Sequence, residues 1–300
     1  MRQVRHIYSK NMRHWVGDGF WVEPLFSHMG ADKGTNPFLM LDYAAPYDFK
    51  PNRNRPRGVG QHPHKGFETV TIAYQGEVAH RDSTGGGGVI RAGDVQWMTA
   101  GAGIVHEEFH SEAFSQSGGL FEMVQLWVNL PAKDKSAPAR YQHLSKDSIP
   151  VVALADDAGS VRVIAGEYDH TDGAADTFTE LNVWDVVLKA GQHTSVRVPA
   201  NHSLSMVVLR GEAKFNGSDS AKAGQLVGFV DGDGEVSIHA SGVRTARKAP
   251  ASTVFRATTS AMPGRCTLTT TLVPSINCAV WTWPIDAAAR GVSSKLVNNA

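Results

Sequence analysis

Phe67-Glu68-Thr69-Val70-Thr71-Ile72-Ala73-Tyr74 decides the fold class. The stretch is rich in β-branched and aromatic residues, which suit a pleated, half-buried surface. Gln75-Gly76 closes it with a turn, and Glu77 to Asp82 reads as the next strand. Working outward, Val95 to Met98 and Ile104 to Phe109 are short strands, and Gly119 to Leu130 is a long apolar one. Ser83-Thr84-Gly85-Gly86-Gly87-Gly88 lies between strands and lacks a Gly-Lys-Ser/Thr ending, so it reads as a flexible hairpin tip and not a phosphate loop. Amphipathic helical patterns are scarce. The chain is expected to be all-β, a sandwich or barrel.

Two short motifs flank these strands. His62-Pro63-His64 precedes them, and Gly103-Ile104-Val105-His106-Glu107-Glu108 follows. Strand side chains alternate faces with period two. His62 and His64 therefore point one way, as do His106 and Glu108, while Glu107 points the other. Two such strands facing one interior would bring three imidazoles and a carboxylate together. That donor set has no soft sulfur and suits Fe, Ni, Cu, Zn or Mn. His80 shares the even parity of these residues and could line the same cavity, although a structural role is the simpler expectation. Trp97, Met98 and Phe67 are expected to pack the core.

The bulk numbers narrow the function. Lys plus Arg and Asp plus Glu both total 29, so the formal charge is zero and no basic face marks a nucleic-acid binder. No apolar run approaches a membrane span, and residues 1–20 lack a signal-peptide pattern, which makes the cytoplasm the default compartment. The two cysteines, Cys266 and Cys278, leave residues 1–265 without thiolate ligands. Any metal must use His and carboxylate.

A weak internal repeat follows Pro131 to Pro138, which reads as linker. Tyr74-Gln75-Gly76-Glu77 is echoed by Leu209-Arg210-Gly211-Glu212, and Arg91-Ala92-Gly93-Asp94 by Lys222-Ala223-Gly224-Gln225. Strand-like runs at Val161 to Ile164, Val183 to Leu188 and Ser205 to Leu209 surround the second copy. Two tandem barrels follow from this. Counting back from Gly211 lands near Arg197, where Val196-Arg197-Val198-Pro199 has no ligand pair. The second barrel is expected to be metal-free, with His193, His202 and His239 as ordinary surface or edge residues. The expected division is a metal-binding barrel over 1–131, a linker over 132–160 and a second barrel over 161–245. An Ala/Thr/Ser-rich tail over 246–300 is expected to be disordered or loosely docked.

Gly60-Gln61-His62-Pro63-His64-Lys65-Gly66-Phe67-Glu68-Thr69-Val70-Thr71 resembles the first cupin motif as pirins use it. His80-Arg81-Asp82-Ser83 and Gly93 through Glu108 resemble the second, and Gln125-Leu126-Trp127-Val128-Asn129-Leu130-Pro131 fits the same family. The resemblance spans roughly residues 1–245. It implies a bicupin with two tandem jelly-roll-like barrels and one iron, Fe(II), in the first. In many cupins the Glu three residues beyond the His-x-His is a ligand, which would be Glu68. In pirins it is the Glu two residues past the later His, which is Glu108. The pirin pattern gives His62, His64, His106 and Glu108 as ligands, with Glu68 behind them orienting a ligand histidine. The tail departs from the family and reads as out of its frame.

The resemblance implies cleavage of flavonols such as quercetin by dioxygen, a quercetin 2,3-dioxygenase activity on a small aromatic chelating substrate. Glu108 or Glu68 would be the base. The same resemblance leaves a non-catalytic alternative, in which the iron's redox state alters a surface read by a transcription factor or metabolic enzyme. Nothing in the chain points to direct nucleic-acid or membrane binding.

Overall fold

The computed structural model describes residues 1–9, 12–27, 35–241 and 275–284. Its described elements are nearly all strands, with one short α-helix at Glu112–Ser117. Each half of the chain builds a seven-stranded and a four-stranded antiparallel sheet. In the first half the larger sheet runs Arg140–Leu144, Val95–Thr99, Phe67–Gln75, Gly119–Asn129, Phe38–Phe49, Phe20–Ser27, His14–Val16. The smaller runs Gly58–His64, Ile104–His110, Glu77–Asp82, Gly87–Arg91.

The second half repeats this plan. Its smaller sheet runs His193–Arg197, Glu235–Ala240, Glu212–Phe215, Asp219–Lys222. Its larger sheet runs Val4–Tyr8, Gln225–Phe229, His202–Arg210, Ser275–Pro284, Asn182–Lys189, Gly159–Ala165, Val151–Ala153. The outer strands cross over. Val4–Tyr8 from the chain start pairs with Gln225–Phe229, and Arg140–Leu144, within the stretch read as linker, pairs with Val95–Thr99.

The two larger sheets face each other. Val70, Trp97, Leu126 and Val128 of the first pack in one core with Val183, Val207, Ala279 and Trp281 of the second. Charged groups in this seam are paired, as buried charges must be. Glu122 binds Arg210 and accepts from the Tyr43 hydroxyl at 2.8 Å. Asp185 accepts from Tyr74 at 2.6 Å and from Arg162 Nε at 3.1 Å.

The expectation for the tail is overturned at Ser275–Pro284. This strand is interior, pairing with Asn182–Lys189 on one side and His202–Arg210 on the other. Ile276, Cys278 and Val280 enter the second half's own core, while Ala279 and Trp281 enter the seam. A strand buried on both faces carries a continuous apolar run, with no alternation to give it away. Cys266 and the rest of the tail lie outside the described residues. His202 also departs from expectation. It is buried, with Nδ1 3.1 Å from Thr282 Oγ1 and Nε2 3.2 Å from Glu180 Oε1. Its Thr282 partner sits on the strand that the sequence hid.

Candidate metal centre

Strand register assembles the site. His106 pairs with His62 on one side and with Asp82 on the other, and Glu108 pairs with His80. Along Ile104–His110, residues Ile104, His106, Glu108 and His110 are buried, whereas Val105 is exposed and Glu107 half-buried opposite Arg81. The period of two holds through this strand. Gly66, at φ 77°, turns the chain from His64 into Phe67, a conformation that side chains with a Cβ rarely adopt.

His62, His64 and His106 form one group whose potential ligand atoms lie within 4.8 Å of one another. His80, His106 and Glu108 form a second within the same distance, so His106 belongs to both. The ring centroids of His62 and His106 are 4.3 Å apart, and those of His64 and His106 4.8 Å. Burial, with the neighbouring imidazoles adding to it, pushes the pKa of His106 down to about 2. Burial and His62 bring His64 down to about 4. Both are neutral at ordinary pH, so each keeps a lone pair for a ligand. His106 Nε2 is buried and has no hydrogen-bond partner among the described residues. Buried polar atoms are normally satisfied, and an orphan needs an explanation. A cation among the imidazoles supplies one, and the donor set fits a divalent transition metal.

Glu108 is held in place. Gln96 Nε2 donates to its Oε1 at 3.0 Å, and the Thr71 hydroxyl lies 3.3 Å from the same oxygen. Glu68 is buried too, but neither group includes it. It faces Thr99 across the sheet and accepts from Thr99 Oγ1 at 2.7 Å. Burial raises its pKa, against the Thr99 hydrogen bond.

Trp97 and Met98 are core residues, as expected. Phe67 is only half-buried and stands beside His64 at 5.0 Å, with Trp127 4.7 Å further along. The two rings form an aromatic wall next to a candidate ligand. His80 is hydrogen-bonded at both nitrogens, to Asp82 and Gln96, and also lies against His106. Asp82, Gln96 and Tyr141 complete this cluster. Asp82 and Gln96 lie in the stretches that resemble the second pirin motif, but sequence reasoning assigned them no role, and Tyr141 lies outside the motif.

This is a bicupin whose groups of three or more candidate metal ligands lie, among the described residues, in its first unit. The chain belongs to the pirin family. The Pirin family model matches residues 20–128. The chain is 59% identical over 211 residues to "Putative quercetin 2,3-dioxygenase PA2418" of Pseudomonas aeruginosa, covering 70% of this chain and 73% of that protein. It is 40% identical over 200 residues to a pirin-like protein of Solanum lycopersicum, covering 67% and 64%. A crystal structure of quercetin 2,3-dioxygenase from Acinetobacter baumannii superposes with TM-score 0.81 at 44% identity, covering 95% of this chain and 88% of that one. Among the described residues, no helix is long and apolar enough to cross a membrane.

Proposed function

We propose that the chain is a metal-dependent dioxygenase of the quercetin 2,3-dioxygenase type, acting on flavonols with Fe(II). His62, His64, His106 and Glu108 would hold the metal. The orphaned, buried Nε2 of His106 within the three-histidine group is the observation that supports this most. When bound, the metal would supply a Lewis-acidic, redox-capable centre with positions left for a chelating enolate and dioxygen.

The chain's own groups have separate tasks in this reading. Neutral His64 and His106 present lone pairs, since their pKa values lie far below neutrality. Phe67 and Trp127 give a flat aromatic substrate a wall beside His64. Glu108, oriented by Gln96, would take the substrate's hydroxyl proton on leaving the metal. Glu68, held by Thr99 and outside both ligand groups, is the other candidate base. The relatives' names carry the choice of flavonol. Metal analysis of protein purified without added metal, coupled to oxygen uptake with quercetin, tests the proposal. About one iron per chain and quercetin-dependent uptake are expected. A metal-loaded protein that consumes no oxygen with any flavonol would refute the activity and leave the regulatory alternative.

A further inference from the structure

Resting on that metal reading, we infer that Asp82 and Gln96 together set, through His80, which nitrogen of His106 carries the proton, leaving Nε2 as the bare donor. Asp82 is a positioning residue, two side chains removed from the metal.

The chain of contacts is short and dry. His80 Nε2 lies 3.2 Å from Asp82 Oδ2, and neither side chain is accessible to solvent. The hairpin tip holds the other carboxylate oxygen. Asp82 Oδ1 accepts from Thr84 N at 2.8 Å, Thr84 Oγ1 at 2.6 Å and Gly86 N at 3.1 Å. Burial alone would raise the Asp82 pKa, but these donors and His80 bring it below the usual range. An added Cβ on Gly86 would sit 2.6 Å from Asp82 Oδ2. The glycine run therefore wraps the carboxylate, with its backbone in hydrogen-bond reach.

A carboxylate only accepts, so His80 carries its proton on Nε2 and offers a lone pair at Nδ1. Gln96 acts on the other nitrogen in the same sense. Its Oε1 faces the Tyr141 hydroxyl at 3.5 Å, and its Nε2 donates to Glu108 Oε1 at 3.0 Å. The amide nitrogen lies 3.2 Å from His80 Nδ1, and an amide nitrogen cannot accept. His106 Nδ1 stands 3.3 Å from the same His80 nitrogen. Two lone pairs would repel there, so His106 Nδ1 bears its proton. A neutral imidazole has one N–H, and the nitrogen left bare is Nε2, the atom that is buried without a partner. Hydrogen-bonded neighbours fix a ligand histidine's tautomer in this way in metal sites generally.

The double variant Asp82→Asn/Gln96→Leu is decisive, because Asp82→Asn alone leaves the Gln96 amide nitrogen facing His80 Nδ1. The three donors at Oδ1 keep the amide oxygen in that place, which turns the NH2 group toward His80 Nε2. With no amide N–H left at Nδ1, His80 then carries its proton there, His106 Nδ1 accepts, and the proton of His106 moves to Nε2. The readout is a long-range proton–nitrogen NMR correlation of the histidine rings in metal-free protein. In the wild type, His106 Nε2 is expected to be unprotonated and Nδ1 protonated, with the pattern inverted in the double variant. Competition with a chromophoric chelator, using Zn(II) as probe, is expected to show affinity about 10–100-fold weaker in the variant. Thr84→Val keeps the carboxylate and should keep the wild-type tautomers. A wild-type proton on His106 Nε2 would overturn the inference, and this measurement does not depend on any variant folding. So would a folded double variant with unchanged tautomers. The expected tautomers without Zn(II) uptake would uphold the relay and refute the metal reading.

Discussion

The two halves share a scaffold and differ in what fills it. Gly76 and Gly211 make the same turn at φ 80° and 78°, between strands of matching order. Gly93 and Gly224 do so at 96° and 83°, where the side chains of Asp94 and Gln225 each accept from a backbone N–H at 2.9 Å. Aligning the halves on these turns and on strand pairing matches His80 with Phe215 and Glu108 with Ile238, its partner across the sheet. His106 then corresponds to Val236, His62 to Val196 and His64 to Val198. Those five replacements are all buried and apolar. The imidazole cluster needs outside compensation for its unpaired nitrogen, and the apolar quintet needs none. One half is built to hold something, and the other fills the same space with side chains.

The largest effect should come from attacking what the second half borrows. Deleting residues 275–300 removes the strand that corresponds to Gly119–Asn129 of the first half and opens the seam between them. Loss of cooperative folding of the second half is expected, seen as a broadened thermal melt with retained metal uptake by whatever first half survives. Trp281→Ala is the milder form and should cost about 3–5 kcal/mol. A truncated protein that melts like the full chain would mean that the strand is dispensable.

Next comes the exchange of matched positions. His106→Ala should reduce metal content to background, a loss beyond the 10–100-fold typical of supporting residues. Val236→Ala, at the equivalent place, should leave metal content unchanged and destabilise by about 2 kcal/mol through lost burial and a cavity. Elemental analysis and denaturant melts of both variants separate the two. Metal loss in Val236→Ala would show that the halves are coupled more tightly than their separate cores imply.

Legibility in the sequence followed the same divide. Turn chemistry and period-two alternation are local, so the strands from Phe67 to His110 and both repeat turns were readable, as was the facing of His106 and Glu108 away from Glu107. The offset count to the second half missed by one residue, because Val196 and not Arg197 is the inward position opposite Val236. Ser275–Pro284 was hidden because both of its faces are buried. His80, Asp82 and Gln96 all lie in stretches that resemble the second pirin motif, but their meeting was hidden because they come from two sheets. Cross-strand register, which the sequence does not spell out, puts Asp82 opposite His106.

A smaller effect tests the register inside the site. Glu108→Gln should weaken metal binding by about 10–100-fold, because it removes a charge from a group held by Gln96 and Thr71. Glu107→Gln should change it by less than about twofold, since that side chain points to the other face and pairs across the sheet with Arg81. Titration of the two variants with Zn(II) decides the matter, and equal weakening would place both glutamates in reach of the metal.

The smallest effect is in the response to acid. In metal-free protein the pKa values of His64, His106 and His110 lie at about 4, 2 and 4, below the ordinary 6.5 of the unfolded chain. As pH falls through 6.5, the unfolded state takes up protons that the native state refuses, so stability drops. For His64 and His110 the decline runs from 6.5 to about 4, and for His106 it continues toward 2. The effect belongs to the first half, where these three imidazoles are packed; in the second half burial lowers His202. His110 separates acid sensitivity from metal binding. It stacks on Phe121 and its Nε2 lies 2.8 Å from Gly19 O, outside both ligand groups. His110→Phe should make the fall in melting temperature between pH 6.5 and 4 shallower and leave metal content intact. It should also lower the melt slightly at pH 7, because the Gly19 carbonyl loses its donor. An acid limb as steep as the wild type's would mean that His110 is protonated in the native state over this range, and that its burial among the phenylalanines does not hold it neutral.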